Sequence, residues 1–152
     1  MTPGWWTLLA TVAAALCLGF AWRARQGRIR VRNRTATADV EESVTDQLPE
    51  GLRKRLTEEA DEATRVTLLQ LSTTFCAPCR HTRSLLTHFA GHTDGVQHIE
   101  VDLTHHPEWS TPLGVHTTPT TLALDAAGRE LFRFSGVPRQ GELSEALRPH
   151  VS

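Results

Sequence analysis

The chain has 152 residues, of which 39% are hydrophobic and 22% are charged, and its formal net charge at pH 7 is −1. This length suits one modest domain with an appendage. A nearly neutral chain has no overall attraction to nucleic acid, so we expect no nucleic-acid partner. The charge is unevenly distributed, however, and the N-terminal part differs from the rest.

Residues 5–22 contain no charged side chain, and tryptophans lie at both ends of the segment. As a helix the segment would be about 27 Å long, near the thickness of a hydrocarbon core. Terminal tryptophans are typical of the membrane interface. After a short tail, residues 1–4, we therefore predict a single-pass transmembrane helix in the lipid bilayer. A cleaved signal peptide is less favoured, since residues 1–4 lack a basic side chain.

Arginines follow the apolar segment without an intervening acid: Arg23, Arg25, Arg28, Arg30, Arg32 and Arg34. Basic residues near a membrane span stay on the cytoplasmic side, which predicts a cell-membrane protein with a cytoplasmic C-terminal domain. An extracytoplasmic domain is the alternative. Residues 35–50 are polar and acidic, so 23–50 reads as a basic juxtamembrane segment and linker, followed by a domain at 51–152.

The most informative motif is Phe75-Cys76-Ala77-Pro78-Cys79-Arg80, which follows an apolar run typical of a buried strand. Two cysteines three residues apart at a helix start face the same side, at a separation that suits a disulfide. The helix N-terminus favours a thiolate, so Cys76 is the expected nucleophile. Cys79, one turn deeper, is suited to resolve a mixed disulfide, and Pro78 fits the first turn.

A zinc site is the alternative for this motif, but it needs a second pair of ligands at a suitable spacing. The third cysteine, Cys17, lies in the apolar segment, and the eight histidines are scattered along the chain. We therefore predict a redox pair and no metal.

The remaining pattern predicts alternating strands and helices followed by a hairpin, which gives a small mixed sheet covered by helices. The expected elements are a helix over 52–63, a strand over 66–72, a helix over 78–92 with Leu85, Leu86 and Phe89 in the core, a strand over 96–103 with Ile99, Val101 and Leu103 inward, a short helix over 108–113, a hairpin of 120–125 and 130–134, and a helix over 140–150 with Leu143, Ala146 and Leu147 on one face.

Residues 64–151 resemble the thioredoxin-fold family in the cysteine motif, in this order of elements, and in Thr118-Pro119-Thr120. The resemblance implies a minimal thioredoxin fold, an α/β architecture with a mixed central sheet of about four strands flanked by helices. It implies that Pro119 is cis and faces the cysteines, and that the backbone of Thr118 pairs with a substrate segment. The implied activity is reduction of protein disulfides without an organic cofactor, with electrons from another thiol protein.

The chain departs from the family pattern at three places. Phe75 replaces a tryptophan and is expected to cover the docking surface, while Ala77 replaces a glycine inside the motif. Gln70 stands where thioredoxins have a buried aspartate, and His98 aligns with the accompanying lysine. Water, His98 or Glu100 would then accept the proton of Cys79. These departures favour a specialised thiol reductase. The alternatives are a membrane-anchored interaction module without catalysis and an extracytoplasmic thiol reductase that serves cytochrome or exported-protein maturation.

Overall fold

The computed structural model describes residues 3–25, 30–31 and 48–151. In chain order they form helix α1 (Pro3–Arg25), strand β1 (Arg30–Val31), helix α2 (Glu50–Glu59), strand β2 (Val66–Ser72), helix α3 (Ala77–Ala90), strand β3 (Val96–Asp102), a 3-10 turn (Pro107–Trp109), strands β4 (Thr120–Asp125) and β5 (Glu130–Ser135), and helix α4 (Gln140–Val151).

The strands form one mixed sheet in the order β1-β5-β4-β2-β3. β2 and β3 are parallel, in register from Val66 opposite Val96 to Ser72 opposite Asp102. β4 is antiparallel to both β2 and β5. The prediction of a mixed sheet of about four strands is confirmed by β2 to β5, and the two-residue β1 adds a fifth strand beside β5.

Helices cover the two faces of the sheet, because every residue of the central strand β2 is buried and the strand needs apolar cover on both sides. On one face α2 packs over a cluster of Leu48, Leu52, Leu69, Leu71, Ile99, Val101, Leu103, Leu113, Leu122 and Leu124. On the other face α3 and α4 pack over Val66, Leu68, Leu86, Phe89, Val96, Ala123, Phe132, Phe134, Leu143 and Leu147. The inward residues expected for 96–103 are buried as predicted.

Several element boundaries differ from the sequence expectations. α2 begins at Glu50 and ends at Glu59, because the extended backbone of Ala60 stops the helix four residues short of the expected end. The short helix expected over 108–113 is a 3-10 turn that starts at Pro107, since proline fixes φ at a first helical position. Leu48, placed in the linker by sequence, is 3% exposed and belongs to the core.

Helix α1 contains the apolar segment 5–22, and the described side chains of 5–21 are exposed. Within the described part of the chain, none of the helices meets the length and hydropathy expected of a membrane span, so the predicted transmembrane helix is not confirmed. Most of the predicted juxtamembrane segment and linker, residues 26–29 and 32–47, lies outside the described residues.

Candidate active site

The two motif cysteines form a disulfide at the N-terminus of α3, with their Cα atoms 5.2 Å apart. Cys76 is the N-cap residue and has an extended backbone (φ −92°, ψ 101°). The backbone N–H of Cys79 donates to the Sγ of Cys76 at 3.2 Å. When the disulfide opens, this N–H donor and the positive end of the helix dipole favour a thiolate at Cys76.

Exposure distinguishes the two cysteines. Cys79 is 1% exposed, whereas Cys76 is partly exposed at the surface. Phe75, expected to cover the docking surface, is 95% exposed, so its ring extends into solvent and packs on little of its own chain. An incoming disulfide therefore has access to the sulfur of Cys76 but not to that of Cys79.

The peptide bond between Thr118 and Pro119 is cis, as the resemblance implies. This loop is connected to the residues before the cysteine motif by a hydrogen bond of 3.3 Å between the hydroxyls of Thr118 and Thr73. The backbone N–H of Gly136 donates to the carbonyl of Pro119 at 2.7 Å. Gly136 has φ +82°, a conformation open to glycine at little cost.

An ion pair on β5 supports the chain that leads into this loop. Arg133 pairs with Glu130, whose side chain is only 4% exposed. A second guanidinium nitrogen of Arg133 donates to the carbonyl of Leu113 at 3.1 Å. Gly114 approaches this guanidinium with φ +61°, where a Cβ would lie 3.3 Å from Nη1.

The loop after β3 packs against the residue two before Cys76. Thr74 donates two hydrogen bonds there: its backbone N–H donates to Thr104 Oγ1 at 3.0 Å, and its hydroxyl donates to Asp102 Oδ2 at 2.9 Å. Asp102 also accepts the backbone N–H of Thr104. Hydrogen bonds from Thr104 and Thr74 lower the pKa of the Asp102 carboxyl. Asp102, the last residue of β3, thus stabilises the turn that follows the strand.

Beneath Cys79 lies Gln70, which is fully buried. Its Nε2 donates to the carbonyl of Cys79 at 3.0 Å and lies 3.4 Å from Glu100 Oε1. Glu100 is also paired with Arg83 of α3. The three residues that sequence comparison singles out here, Gln70, His98 and Glu100, are brought together, while Arg83 is an addition that the sequence analysis missed.

The hydrogen bonds of His98 determine its tautomer. The two groups near Nε2 of Gln70, the carbonyl of Cys79 and the carboxylate of Glu100, are both acceptors, so this atom is the amide nitrogen. The amide oxygen of Gln70 therefore faces His98 and lies 3.1 Å from Nε2 of the imidazole ring. That ring nitrogen therefore carries a proton. The other, Nδ1, lies 3.1 Å from the hydroxyl of Thr87, which can donate to it. Burial lowers the pKa of His98, which favours this neutral form.

Among residues 3–25, 30–31 and 48–151, no three histidine, cysteine or acidic side chains are arranged as a metal site. The rings of His88, near the end of α3, and His92, just after the helix, are neighbours, with ring centroids 4.2 Å apart. Nδ1 of His92 is 2.7 Å from the carbonyl of His88, so one ring nitrogen is already in a hydrogen bond.

Solved structures with a similar fold are thioredoxins. A thioredoxin variant from Halobacterium salinarum has 15% identity and a TM-score of 0.57, and the match covers 68% of this chain and 87% of that one. A thioredoxin from Fasciola hepatica has 25% identity and a TM-score of 0.54, and the match covers 65% of this chain and 90% of that one. A thioredoxin from Nicotiana alata has 18% identity and a TM-score of 0.56, and the match covers 68% of this chain and 89% of that one.

No curated protein matches the chain in sequence. The sequence profile of the thioredoxin family, in contrast, matches residues 52–149, which is more than half of the chain and runs from α2 through α4. The match includes both cysteines and the cis-proline loop. The chain therefore belongs to the thioredoxin family.

Proposed function

We propose that this protein is a thiol:disulfide oxidoreductase that reduces disulfides of other proteins. The observation that carries the proposal is the disulfide at the start of α3, which joins a partly exposed Cys76 to a buried Cys79. One sulfur is accessible to a substrate, and the other is protected from it. That asymmetry suits attack by the first cysteine and resolution by the second.

In the proposed reaction, the thiolate of Cys76 attacks one sulfur of a substrate disulfide. The substrate segment lies along the backbone of Thr118, beside the disulfide, with Pro119 shaping the docking surface and Phe75 contacting the substrate. Ala77 and Pro78 form the first turn of α3, which orients the two sulfurs. The reaction needs no organic cofactor. A second thiol protein, which the structure does not contain, returns two electrons to the Cys76–Cys79 pair.

The acceptor for the proton of Cys79 is proposed to be water. Both ring nitrogens of His98 are engaged, with Gln70 and Thr87. The carboxylate of Glu100 is paired with Arg83. The amide of Gln70 lies between this carboxylate and the carbonyl of Cys79. Since Gln70 is an amide, it cannot accept a proton at neutral pH. Solvent is then the acceptor that these contacts leave available.

We further propose that the N-terminal segment tethers the domain to the cell membrane, with the domain on the cytoplasmic side. The support is the uncharged sequence 5–22 and the arginines that follow it. Labelling of Cys76 in intact cells by a membrane-impermeant thiol reagent, after mild reduction, tests the side. Protection until the membrane is opened is the expected result; labelling of intact cells would place the domain outside.

Substitution of Cys79 by alanine tests the catalytic proposal. The Cys79→Ala variant should accumulate a mixed disulfide between Cys76 and a protein substrate such as insulin, because no second thiol resolves it. The matched control is Cys76→Ala, which retains Cys79 but should trap nothing. If neither variant forms a mixed disulfide and the wild type reduces no protein disulfide, the non-catalytic interaction module becomes the better interpretation.

A further inference from the structure

Two buried hydroxyls near the active site have no hydrogen-bond partner within the described residues. They are Oγ1 of Thr82 and Oγ1 of Thr121, and both threonines are 0% exposed. A buried hydroxyl without a partner costs free energy. Two such groups in one small domain therefore require a structural explanation.

The positions of both hydroxyls point to Cys79. Thr82 lies three residues after Cys79 on α3, so the two share a helix face. Leu86, one turn further along that face, is fully buried in the apolar cluster beneath α3. Thr82 therefore lies between Cys79 and the core, on the side of the helix that contacts the sheet.

Thr121 approaches the same place from the sheet. It is opposite Gln70 in the antiparallel pairing of β4 with β2, and directly paired residues have their side chains on the same face. The side chain of Gln70 reaches the carbonyl of Cys79, which fixes that face as the one toward α3. Ala123, two residues after Thr121, packs in the cluster beneath α3, in agreement with this assignment.

We propose that Thr82 and Thr121 donate hydrogen bonds to the sulfur of Cys79 when the disulfide is open. This inference rests on the proposed function. In the oxidised protein the bond to Cys76 holds the sulfur of Cys79 in one rotamer, and neither hydroxyl is bonded to it. Opening the bond frees the side-chain torsion of Cys79, and a buried thiolate beside two donors is stabilised by them.

The step at which these donors act is the resolution of the mixed disulfide. The Cys79 thiol loses its proton to water or hydroxide, and the thiolate attacks the sulfur of Cys76. The Cys76–Cys79 bond forms while the bond from Cys76 to the substrate sulfur breaks. The electron pair leaves on the substrate sulfur, which takes a proton from solvent. The two protein thiols are oxidised to a disulfide and the substrate disulfide is reduced, so electrons and protons balance.

The test is the titration of Cys79 in a Cys17→Ser, Cys76→Ala background, which leaves Cys79 as the remaining thiol, followed by the ultraviolet absorbance of its thiolate. In this background Thr82→Val and Thr121→Val should each raise the pKa of Cys79 by about one unit, because the thiolate loses a donor. Valine keeps the shape of threonine and removes only the hydroxyl. The matched control is Thr67→Val, a buried threonine on the opposite face of β2, which should leave the titration unchanged.

Other charged groups around α3 and the facing strand must be separated from this effect. They are His98, Glu100 and Asp102 on β3, Arg80, His81 and Arg83 on α3, and His116 before the cis-proline. Glu100→Gln tests the nearest carboxylate and should leave the Cys79 titration within a few tenths of a unit of its parent. The proposal is overturned if the pKa of Cys79 shifts by a large amount in Glu100→Gln, or if it shifts in neither Thr→Val variant.

Two further readouts separate this inference from the proposed function. In the oxidised wild-type background, both Thr→Val variants should unfold at the same or a higher denaturant concentration, because they remove an unpartnered hydroxyl. The resolution rate at pH 7 should fall about threefold, since a tenfold smaller thiolate fraction is partly offset by higher nucleophilicity. The titration needs no substrate, so it can succeed when the proposed function fails. A shifted pKa of Cys79 in the Thr→Val variants, together with no reduction of protein disulfides by the wild type, would support the two donors and reject the proposed reductase activity.

Discussion

The two sides of the Cys76–Cys79 disulfide are built differently. The outer face, which we define as Phe75, Cys76 and Thr118, is exposed or partly exposed and comes from loops and a helix start. The inner layer, defined as Gln70, Thr82, Thr121 and His98, is buried or largely buried and comes from α3 and three strands.

The comparison shows how one disulfide can have two dissimilar sulfurs. On the outer face, Cys76 is accessible and lies at a helix N-terminus, which suits the nucleophilic role proposed for it. In the inner layer, the neutral amide of Gln70 donates to the carbonyl of Cys79, and no acid is hydrogen-bonded to Cys79 among the described residues. The inner layer should therefore be far more sensitive to added charge than the outer face.

Adding an acid to the inner layer should have the largest effect on stability. In Gln70→Asp a carboxylate replaces a fully buried amide close to Glu100, so burial and the like charge raise its pKa in the folded protein. A raised folded pKa means that stability is lost as pH rises above the unfolded value near 4. We expect a loss of about 3 kcal/mol in the free energy of unfolding at pH 7, recovered in part at pH 4.5.

Chemical denaturation at the two pH values measures this effect. The matched control is Gln97→Asp, which makes the same exchange on β3 at a half-buried side chain that contacts Glu59 and Thr64 instead of α3. A Gln70→Asp protein as stable at pH 7 as this control would show that the inner layer tolerates charge, and would remove the contrast between the two sides.

Removal of the ion pair that supports the outer face should have the next largest effect. In Arg133→Met the nearly buried carboxylate of Glu130 loses its partner, and the carbonyl of Leu113 loses a donor. Breaking a buried pair costs about 3–5 kcal/mol, and the partial exposure of Arg133 reduces this to about 2 kcal/mol. Arg129→Met is the control, because its pair with Asp125 is more exposed and should contribute below about 1 kcal/mol.

The rate of protein disulfide reduction should also fall in Arg133→Met, since the chain that leads to Thr118 loses a support. Thermal or denaturant unfolding and an insulin reduction assay measure the two effects. Equal losses of stability in the two arginine variants would mean that Glu130 is not buried as strongly as its 4% exposure indicates.

The pH dependence of stability should report the neutral form of His98. Burial lowers its folded pKa below the unfolded value near 6.5, so the unfolded chain binds the proton first as pH falls. The stabilisation from the neutral ring is present above about pH 6.5 and is lost as pH falls toward the folded pKa. Unfolding of wild type and His98→Asn at pH 7.5 and 5.5 should show a shallower pH dependence in the variant. Identical slopes would assign the pH dependence to other groups.

Phe75→Ala should have the smallest effect on stability, because the ring is 95% exposed. We expect less than about 0.5 kcal/mol. If the ring contacts the substrate, as proposed, the rate of protein disulfide reduction should fall while the rate with a small disulfide such as oxidised glutathione should change little. A drop of the same size with both substrates would place Phe75 in the chemistry of Cys76 instead of in docking.

Local sequence was sufficient to predict the outer face and much of the fold. The spacing of Cys76 and Cys79, the apolar run before them and Pro78 define a helix start within six residues. The same local patterns predicted the strands and the core faces of α3 and α4 within a few residues. Helix ends were less accurate, because the last turn depends on whichever groups satisfy its backbone, as at Ala60.

The tertiary structure determined most of the inner layer. The family resemblance pointed to Gln70 and His98, but nothing in the sequence indicated that Thr82 and Thr121 lie beside them. The parallel register of β2 and β3 places Gln70 opposite Glu100. The antiparallel register of β2 and β4 places Thr121 opposite Gln70 on its other side. These contacts join residues up to 51 positions apart in sequence, since Gln70 and Thr121 meet through strand pairing. A periodic pattern tells which face a residue occupies, but only the packing of strands and helices tells which residue it meets, and here that packing determines the surroundings of Cys79.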